Sequence, residues 1–394
     1  MAVSYSAMDP AIRLLRDLVA INSVNPTLVP GAPGEQQVAD AIAIEMRRIG
    51  LDVTVEAAAP GRPNVVGVLE GRSKGRAMMF CGHTDTVGVA GMSDPFNPVE
   101  RDGRLYGRGA QDMKAGVAAM IDAARVVAQR RLESGRLIIA AVVDEEHSSI
   151  GADALVRRWT ADAAIVTEPT DLAIAIAHKG FAWVEVEVLG KAAHGSRPTE
   201  GQDAILRLGR VLARLESLDR ALQARPPHAL LGTGSLHASF VEGGRELSSY
   251  PDRATLQMER RTLPHDSGTQ AYDEVQHIVR CLVDEDPTFR ATARPLFSRP
   301  AYEIAARHEL PTLLAKAIQA VSGGRHDGGT CGASFWADSA VLGHAEIPSV
   351  LFGPGGAGLH STEEYVNVAD VVVCRDALAE VVRCFCEGSR PGRT

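Results

Sequence analysis

The chain has 394 residues, 45% of them hydrophobic and 23% charged, so it can bury a large core and exceeds the usual size of one compact domain. Its formal net charge of -8, without a run of Lys and Arg, argues against polyanionic partners, so we expect no nucleic-acid binding. No segment approaches the roughly 20 apolar residues of a membrane span, and residues 1–10 lack a signal-peptide pattern. We therefore expect a cytoplasmic protein without membrane association.

Apolar strands alternate with helical patterns in the first part of the chain. Predicted strands cover residues 64–69, 77–81, 137–143 and 163–167, and a helix covers about 113–131. The pattern returns with a strand at 349–352, between helices at about 311–321 and 368–386. Continuous apolar strands separated by helices indicate a sheet that is covered on both faces, with many parallel strands.

The middle of the chain has a different pattern. Residues 182–188 alternate Glu with Val, which is typical of a strand with one solvated face. A helix at 202–218, strands at 234–241 and 254–261, a helix at 269–283 and a strand at 289–295 complete a β-α-β-β-α-β order. The predicted fold class is α/β: a catalytic domain with a mixed, mostly parallel sheet (1–178 and 298–394), and an inserted α+β domain (179–297).

Acidic or imidazole side chains follow several of the predicted buried strands. His83 and Asp85 follow the second strand, and Asp144-Glu145-Glu146 follow the third. Glu168 and His360 come after the fourth and fifth strands, and Asp112 precedes a helix. The carboxyl ends of parallel strands share one edge of a sheet, where sites form in open α/β folds. Each residue alone could be a turn or surface residue, but together they predict a site.

These residues lie in motifs that resemble those of a family of metallohydrolases, which includes acetylornithine deacetylase, succinyl-diaminopimelate desuccinylase, aminoacylase and glutamate carboxypeptidase. The motifs are Gly82-His-Thr-Asp-Thr-Val87, Gly107-Arg-Gly-Ala-Gln-Asp-Met-Lys-Ala-Gly116, Asp144-Glu-Glu146, Thr167-Glu-Pro-Thr170, Ala193-His-Gly195, Glu259-Arg-Arg-Thr-Leu-Pro264 and Gly358-Leu-His-Ser361.

The resemblance implies two divalent metal ions. His83 and Glu168 would hold one ion, Glu146 and His360 the other, and Asp112 would bridge both. Imidazole and carboxylate ligands without thiolate suit Zn best, with Co or Mn also possible. The positive charge left after ligation would favour a metal-bound water as nucleophile.

The resemblance also assigns roles to two acids beside the ligands. Glu145 matches the general base that takes a proton from the water and passes it to the leaving amine, although a structural salt bridge is the alternative. Asp85 would accept the second ring N–H of His83 and so fix its tautomer.

In the inserted domain, His194 matches a histidine that relatives present to the partner subunit's active site to stabilise the oxyanion. Arg261 matches an arginine that grips the substrate carboxylate. We therefore expect a homodimer whose inserted domain is a dimerising lid. The alternatives are a surface turn for His194 and a strand-face salt bridge for Arg261.

Two departures from the family pattern affect the choice of substrate. Ser248 stands where many relatives have Asn, so a substrate contact there would come from a hydroxyl group. The loop that many relatives write as Gly-Thr-Asp corresponds either to Gly329-Thr-Cys331 or to Trp336-Ala-Asp338. Cys331 could line the substrate site or be a buried structural thiol.

The leading hypothesis is a deacylase that hydrolyses the amide bond of an N-acyl amino acid, resembling acetylornithine deacetylase. The main alternative is a metallo-carboxypeptidase or dipeptidase on the same scaffold, acting on a short peptide. A non-catalytic, metal-dependent binding protein is a remote alternative, because Glu145 and all five ligand positions are present.

Overall fold

The computed structural model describes residues 8–388. Residues 1–7, where the first predicted catalytic segment begins, and residues 389–394, where the second ends, lie outside the described residues. Most of residues 1–10, which lack a signal-peptide pattern, therefore lies outside them too. The chain divides into two compact units. The first unit runs up to Ile176 and resumes at Ile304–Cys331 and from Ala337; the second is Ala177–Glu303 with Gly332–Trp336. The predicted roles of the two segments as catalytic domain and lid stay predictions.

The first unit is built on a large mixed sheet. Its strands are β1 (Asp52–Ala59), β2 (Arg62–Glu70), β3 (Ser73–His83), β6 (Ser134–Val142), β7 (Ala163–Val166), β8 (Ile174–His178, entering the second unit at Ala177) and β15 (Ser349–Leu351). Their order in the sheet is β1-β2-β6-β3-β7-β15-β8.

The four central strands of this sheet are parallel. β3 pairs in parallel with β6 and β7, and β15 pairs in parallel with β7. The flanking pairs β1–β2, β2–β6 and β15–β8 are antiparallel. The predicted mixed α/β class is confirmed, although the parallel pairings are limited to the centre of the sheet. Residues 77–83 of β3 are buried throughout, as the continuous apolar run indicated.

Helices and short strands complete the first unit. The helices are α1 (Pro10–Val19), α2 (Gln36–Arg48), α3 (Ala115–Arg130), α4 (Ile150–Leu155), α7 (Glu309–Ser322), α8 (Ser339–His344) and α9 (Val368–Cys386). A small sheet contains β4 (Val99–Arg101), β5 (Arg104–Tyr106), β16 (Gly356–Ala357) and β17 (Tyr365–Asn367). β13 (Tyr302–Glu303), which belongs to the second unit, pairs with the last two residues of β8, and β14 (Thr330–Ala333) begins in the first unit and ends in the second.

The second unit has a four-stranded sheet in the order β10-β11-β9-β12. Its elements along the chain are β9 (Gly180–Leu189), α5 (Ala204–Gln223), β10 (Ser235–Gly243), β11 (Arg253–Thr262), α6 (Gln270–Glu285) and β12 (Arg290–Arg299). One face of the sheet packs against α5 and α6, where Val184, Val186 and Val188 alternate with more polar positions. This alternation places the Val side chains in the core of the unit.

Between residues 8 and 388, none of the helices is both long enough and apolar enough to cross a membrane. The expected cytoplasmic location stays a prediction.

Candidate metal centre

The four parallel strands bring the predicted residues to one edge of the sheet. His83 is the last residue of β3, and Asp144-Glu145-Glu146 follow β6 after one intervening residue, Val143. Glu168 comes two residues after β7, and His360 lies farther along the chain from β15, in the loop between β16 and β17. Because neighbouring parallel strands end at the same edge, these side chains converge there.

Asp112 reaches the same place from a tight turn that precedes α3. The turn spans Ala110–Lys114, and Asp112 has a non-helical backbone conformation. Gly116 lets α3 begin very close to the end of β7, since a Cβ at this position would lie 2.0 Å from the carbonyl oxygen of Thr167. A larger residue would therefore separate Asp112 from the strand end that carries Glu168.

The carboxylate of Asp112 lies between two imidazole rings. Its Oδ1 is 3.1 Å from His83 Nε2, and its Oδ2 is 3.3 Å from His360 Nε2. His360 Nε2 is also 3.1 Å from Glu146 Oε2. Each oxygen of Asp112 thus faces a different histidine, which is the arrangement that a bridging carboxylate needs.

Two overlapping groups have possible ligand atoms within 4.8 Å of one another: His83, Glu145 and Glu168, and His83, Asp112 and Glu146. His83 Nε2 is 3.9 Å from Glu168 Oε1 and also 3.9 Å from Glu145 Oε2. The geometry brings all five predicted ligands together with Glu145. Distance alone does not separate the predicted base from the ligands, so these roles stay predictions.

Burial and mutual repulsion perturb the acids of this cluster. Burial raises the pKa of Glu145 and Glu168, and the charge of Asp338 adds to the rise for both. Burial and the charge of Asp112 raise the pKa of Glu146 to about 7. Cations placed among these carboxylates would relieve their repulsion and favour the ionised forms.

The pKa values of the two histidines are also raised, in their case by hydrogen bonds to carboxylates. Burial alone would lower the pKa of His83, but its contacts with Asp112 and Asp85 outweigh burial and raise it. Contacts with Asp112 and Glu146 raise the pKa of His360 to about 10. The Nε2 atom of each ring therefore faces negative charge, and a divalent cation between the same groups would take the place of a proton.

One buried acceptor supports the fit of a cation. Glu146 Oε1 is buried and has no hydrogen-bond partner among the described residues, whereas Glu146 Oε2 faces His360. A buried carboxylate oxygen without a partner is costly, and a metal ion is one of the groups that can satisfy it. The donor set of imidazoles and carboxylates is also the one that Zn, Co or Mn prefers.

The position of Asp85 differs from the expectation. His83 Nδ1 lies 3.0 Å from the backbone carbonyl oxygen of Asp85, while the carboxylate of Asp85 is 3.6 Å away. The carbonyl is therefore the better placed acceptor for the ring N–H. The carboxylate instead accepts the backbone N–H groups of Glu145 and Glu146, both at 3.2 Å.

A buried network that was not predicted from the sequence continues from Asp85. Asn25 Nδ2 donates to Asp85 Oδ2 at 2.8 Å and to Asp144 Oδ1 at 3.0 Å. Arg62 donates to Asp144 Oδ1 at 2.6 Å and also pairs with Glu35. All five side chains are buried, and they support the turn that carries Glu145 and Glu146. The available signal was a charged Arg62 two residues before the predicted strand at 64–69.

The three predicted residues of the inserted segment lie in the second unit. His194 is exposed, with Nδ1 2.8 Å from Ser196 Oγ, and the carbonyl oxygen of Ser248 accepts the N–H of Gly195. Ser248 is thus a neighbour of the His194 turn. The catalytic role of His194 and the substrate-binding role of Ser248 stay predictions.

Arg261 has a partner within its own strand. Its Nε donates to Glu259 Oε1 at 2.6 Å, and its guanidinium carbon lies 5.6 Å from the centre of the Phe181 ring. Glu259 also accepts the indole N–H of Trp183 at 2.9 Å. This is the strand-face salt bridge considered as the structural alternative, and a substrate carboxylate would have to compete with Glu259.

The two sequence positions that stood for the family's Gly-Thr-Asp loop have different surroundings. Asp338 is buried and its negative charge acts on both Glu145 and Glu168. Cys331 is a free, partly buried thiol, and burial raises its pKa. Asp338 is therefore the acidic residue of this loop region that influences the candidate metal centre.

This chain is similar to known proteins in sequence and in fold. A family model described as Peptidase family M20/M25/M40 matches residues 79–383. An acetylornithine deacetylase of Myxococcus xanthus is 32% identical, with 96% of this chain and 98% of that protein covered. An N-formyl-4-amino-5-aminomethyl-2-methylpyrimidine deformylase of Bacillus subtilis strain 168 is 27% identical, covering 96% and 95%.

Solved structures show the same fold. A tripeptidase of Staphylococcus aureus has a TM-score of 0.79 at 21% identity, covering 95% of this chain and 98% of that one. A dinuclear metal binding peptidase of Bacillus subtilis has a TM-score of 0.72 at 16% identity, covering 96% and 98%. At these identities the likeness establishes the fold.

Proposed function

Because this chain belongs to the peptidase family M20/M25/M40 and is a hydrolase of amide bonds, we propose that it is a deacylase of N-acyl amino acids with a two-metal centre. The observation that carries the proposal is the position of Asp112, which directs one carboxylate oxygen toward His83 and the other toward His360. A single bridging carboxylate between two sets of ligands is what a pair of ions requires.

The proposed ligand assignment follows the distances around Asp112. His83 and Glu168 hold one ion, Glu146 and His360 hold the other, and Asp112 bridges them. Two observations support this pairing. Glu146 Oε2 lies 3.1 Å from His360 Nε2, and the possible ligand atoms of His83 and Glu168 lie within 4.8 Å of each other. Zn is the proposed metal, with Co and Mn as the other candidates for this donor set.

Glu145 is the proposed general base. Two divalent ions at this centre would supply Lewis acidity toward the scissile carbonyl and toward water. The Glu145 carboxylate takes a proton from the attacking water and later delivers it to the leaving amine nitrogen. Its position beside Glu168 and His83, and the raised pKa that burial gives it, suit a group that must both accept and return a proton.

The names of the relatives favour a deacylase over a peptidase. The two relatives described above remove an acetyl or a formyl group, according to their names, and both are aligned over nearly their whole length. The structural neighbours include a tripeptidase and another peptidase, at lower identity. A carboxypeptidase or dipeptidase therefore remains the second candidate. In both, Arg261 binds the substrate carboxylate and Ser248 contributes a hydroxyl contact.

We further propose that the enzyme is a homodimer in which the second unit forms the interface. β10 is an edge strand of its sheet, and residues 237–243 are all exposed. Phe240 is 71% exposed and Val241 is 55% exposed on this strand, and Leu247 is fully exposed in the following loop. An exposed apolar edge strand is a template for pairing with another chain, and a second copy would cover it.

Metal removal and reconstitution test the proposed function. Metal-free enzyme is reloaded with Zn, Co or Mn and assayed on N-acetyl, N-succinyl and N-aromatic-acyl amino acids beside dipeptides. We expect activity only after reloading, with an N-acyl amino acid as the best substrate. Asp112→Ala should lose more bound metal than either Glu168→Ala or His360→Ala, because only Asp112 serves both ions.

Two results would change the proposal. Full activity after exhaustive chelation, checked by elemental analysis, would refute the metal centre. Dipeptide hydrolysis that exceeds deacylation with every metal would make the peptidase the correct function.

A further inference from the structure

The buried carboxylate of Glu364 accepts hydrogen bonds from the loop that leads to Asp112. Glu364 Oε1 accepts the backbone N–H of Gln111 at 2.9 Å and that of Asp112 at 3.1 Å. Its Oε2 accepts the N–H of Gly109 at 3.1 Å. One side chain thus accepts three backbone N–H groups, that of Gly109 just before the turn and those of Gln111 and Asp112 within it.

Arg108 connects Glu364 to the loop that contains His360. Its Nη1 donates to Glu364 Oε2 at 2.6 Å, and its Nη2 donates to the carbonyl oxygen of Ser361 at 2.9 Å. The side chains of Arg108 and Glu364 are 3% and 0% exposed, so these contacts are made away from water. Ser361 directly follows His360, and the pair therefore ties the Asp112 loop to the His360 loop.

Neither loop has regular secondary structure to fix the two side chains. Gly109 and Gly358 have left-handed backbone conformations (φ of 78° and 90°), and so does His360 (φ of 58°). Asp112 lies at φ -115° and ψ 97°, outside the helical region. The positions of Asp112 and His360 therefore depend on contacts between the loops, and Glu364 and Arg108 supply them.

We propose that Glu364 is a positioning residue that holds Asp112 and His360 at their separation, and so shapes the place of the second ion. The inference rests on the ligand assignment of the proposed function. It assigns Glu364 no contact with substrate or metal. Its effect passes through the backbone of Asp112 and through Arg108 to the loop of His360.

Hydrogen exchange of the metal-free protein tests the connection directly. Glu364→Gln places an amide NH₂ donor against a cluster of N–H donors, so one set of contacts must break. We expect faster exchange at residues 109–112 and also at 360–362, with the rest of the first unit unchanged. The matched control is Glu363→Gln, because the neighbouring Glu363 side chain is 74% exposed. Unchanged exchange in both loops of a folded Glu364→Gln protein would overturn the proposal.

Cobalt binding tests the consequence for the site. In Glu364→Gln we expect one of two Co affinities to fall by about 10- to 100-fold, with a changed visible absorption spectrum. The loss should be non-additive with His360→Ala and additive with Glu168→Gln, because only His360 shares the connected loops. Additive loss with His360→Ala would contradict the proposal.

Two further variants separate geometry from charge and from folding. Glu364→Asp keeps the charge but is shorter by one methylene group, so we expect its Co binding to be weakened as in Glu364→Gln. Normal Co binding by Glu364→Asp would show that charge alone matters, and would overturn the positioning role. If Glu364→Gln does not fold, Arg108→Lys loosens only the His360 loop and should raise exchange at 360–362. Fewer than two bound Co ions in the unmodified enzyme would refute the two-metal function, while the exchange experiment would still decide the role of Glu364.

Discussion

Glu145 and Glu146 are adjacent in sequence but have different neighbours. Glu146 Oε2 lies 3.1 Å from His360, whereas Glu145 Oε2 lies 3.9 Å from His83. Their backbone N–H groups both donate to Asp85, which holds the turn between them. The two side chains therefore leave a fixed turn toward different parts of the candidate metal centre, as the proposed division into a metal ligand and a general base requires.

We expect Glu145→Gln to retain bound metal and to lower kcat by about a hundredfold or more, because a carboxamide cannot accept and return the proton. Glu146→Gln should instead lose metal from one site. Metal content by elemental analysis and kcat on the best N-acyl amino acid measure both effects. If the two variants lose metal and activity alike, the division of roles is wrong.

Arg261 has two possible roles, as the partner of Glu259 in an ion pair and as the group that binds the substrate carboxylate. In the structure it pairs with Glu259, which is itself held by Trp183. Arg261→Lys keeps the charge and loses the planar fork that binds a carboxylate through two hydrogen bonds. We expect KM to rise more for a substrate with a free α-carboxylate than for its amide analogue. Equal losses on acid and amide would assign Arg261 to the strand-face ion pair alone.

The sequence predicted which residues meet at the candidate site better than it predicted how they are supported. His83, Glu146 and Glu168 could be placed because each follows a strand with a clear apolar pattern. The carbonyl contact of Asp85 and the contacts of Glu364 could not, because they depend on the path of irregular backbone. Hydrogen bonds to backbone groups leave no periodic signal in a sequence.

At the level of elements, apolar runs predicted the central strands and the long helices. β7, α9 and β9 lie within a few residues of their predicted limits. β8 (Ile174–His178) was not predicted, although its run is apolar, because only Lys179 separates it from β9. Nor were α1, α2 and β1 predicted; β1 alternates polar and apolar residues only over 52–56 and then continues with three Ala. The sheet order could not be derived, because pairing between distant strands is not encoded in local patterns.

α9 is joined to α1 and α3 by a partly buried cluster of charges. Arg375 Nη1 lies 3.0 Å from Asp122 on α3 and 3.0 Å from Asp9, whose carboxylate also accepts the N–H of Ala11 at the start of α1. The side chain of Asp122 is only 4% exposed, and Arg125 contacts it as well. Arg375 thus compensates a buried charge at the junction of three helices.

We expect Arg375→Met to destabilise the protein by about 3 kcal/mol, the low end for removing one partner of a buried ion pair, because Arg125 still compensates Asp122. The control is Arg383→Met on the same helix, whose exposed pair with Glu380 should contribute less than about 1 kcal/mol. Urea unfolding of the metal-free protein measures both. Equal stabilities for the two variants would show that the Arg375 cluster does not stabilise the helix junction.

At the scale of the whole molecule, the proposed dimer predicts where His194 acts. All proposed metal ligands belong to the first unit and His194 to the second, so the family resemblance implies that His194 acts on the partner subunit's centre. The exposed edge strand β10 lies in the same unit as His194, which is consistent with an interface that presents both.

Mixing two inactive variants tests this arrangement. Under subunit exchange, His194→Ala and Glu145→Gln should recover activity toward about a quarter of the unmodified level, since about half of the dimers are mixed and each has one intact centre. The same mixture with Phe240→Lys in both chains should recover less, because the charge opposes pairing at β10. No recovery despite demonstrated subunit exchange would mean that His194 acts within its own chain or is not catalytic.

The place of β15 in the central sheet has a consequence for biosynthesis. β15 (Ser349–Leu351) lies between β7 and β8, yet the ribosome makes it only after the whole second unit. Until then the nascent chain carries β7 and β8 without the strand that separates them, and it lacks His360. At about 5–20 residues per second, this gap lasts roughly 10 s or more. We therefore expect translation that stops before β15 to yield aggregation-prone fragments.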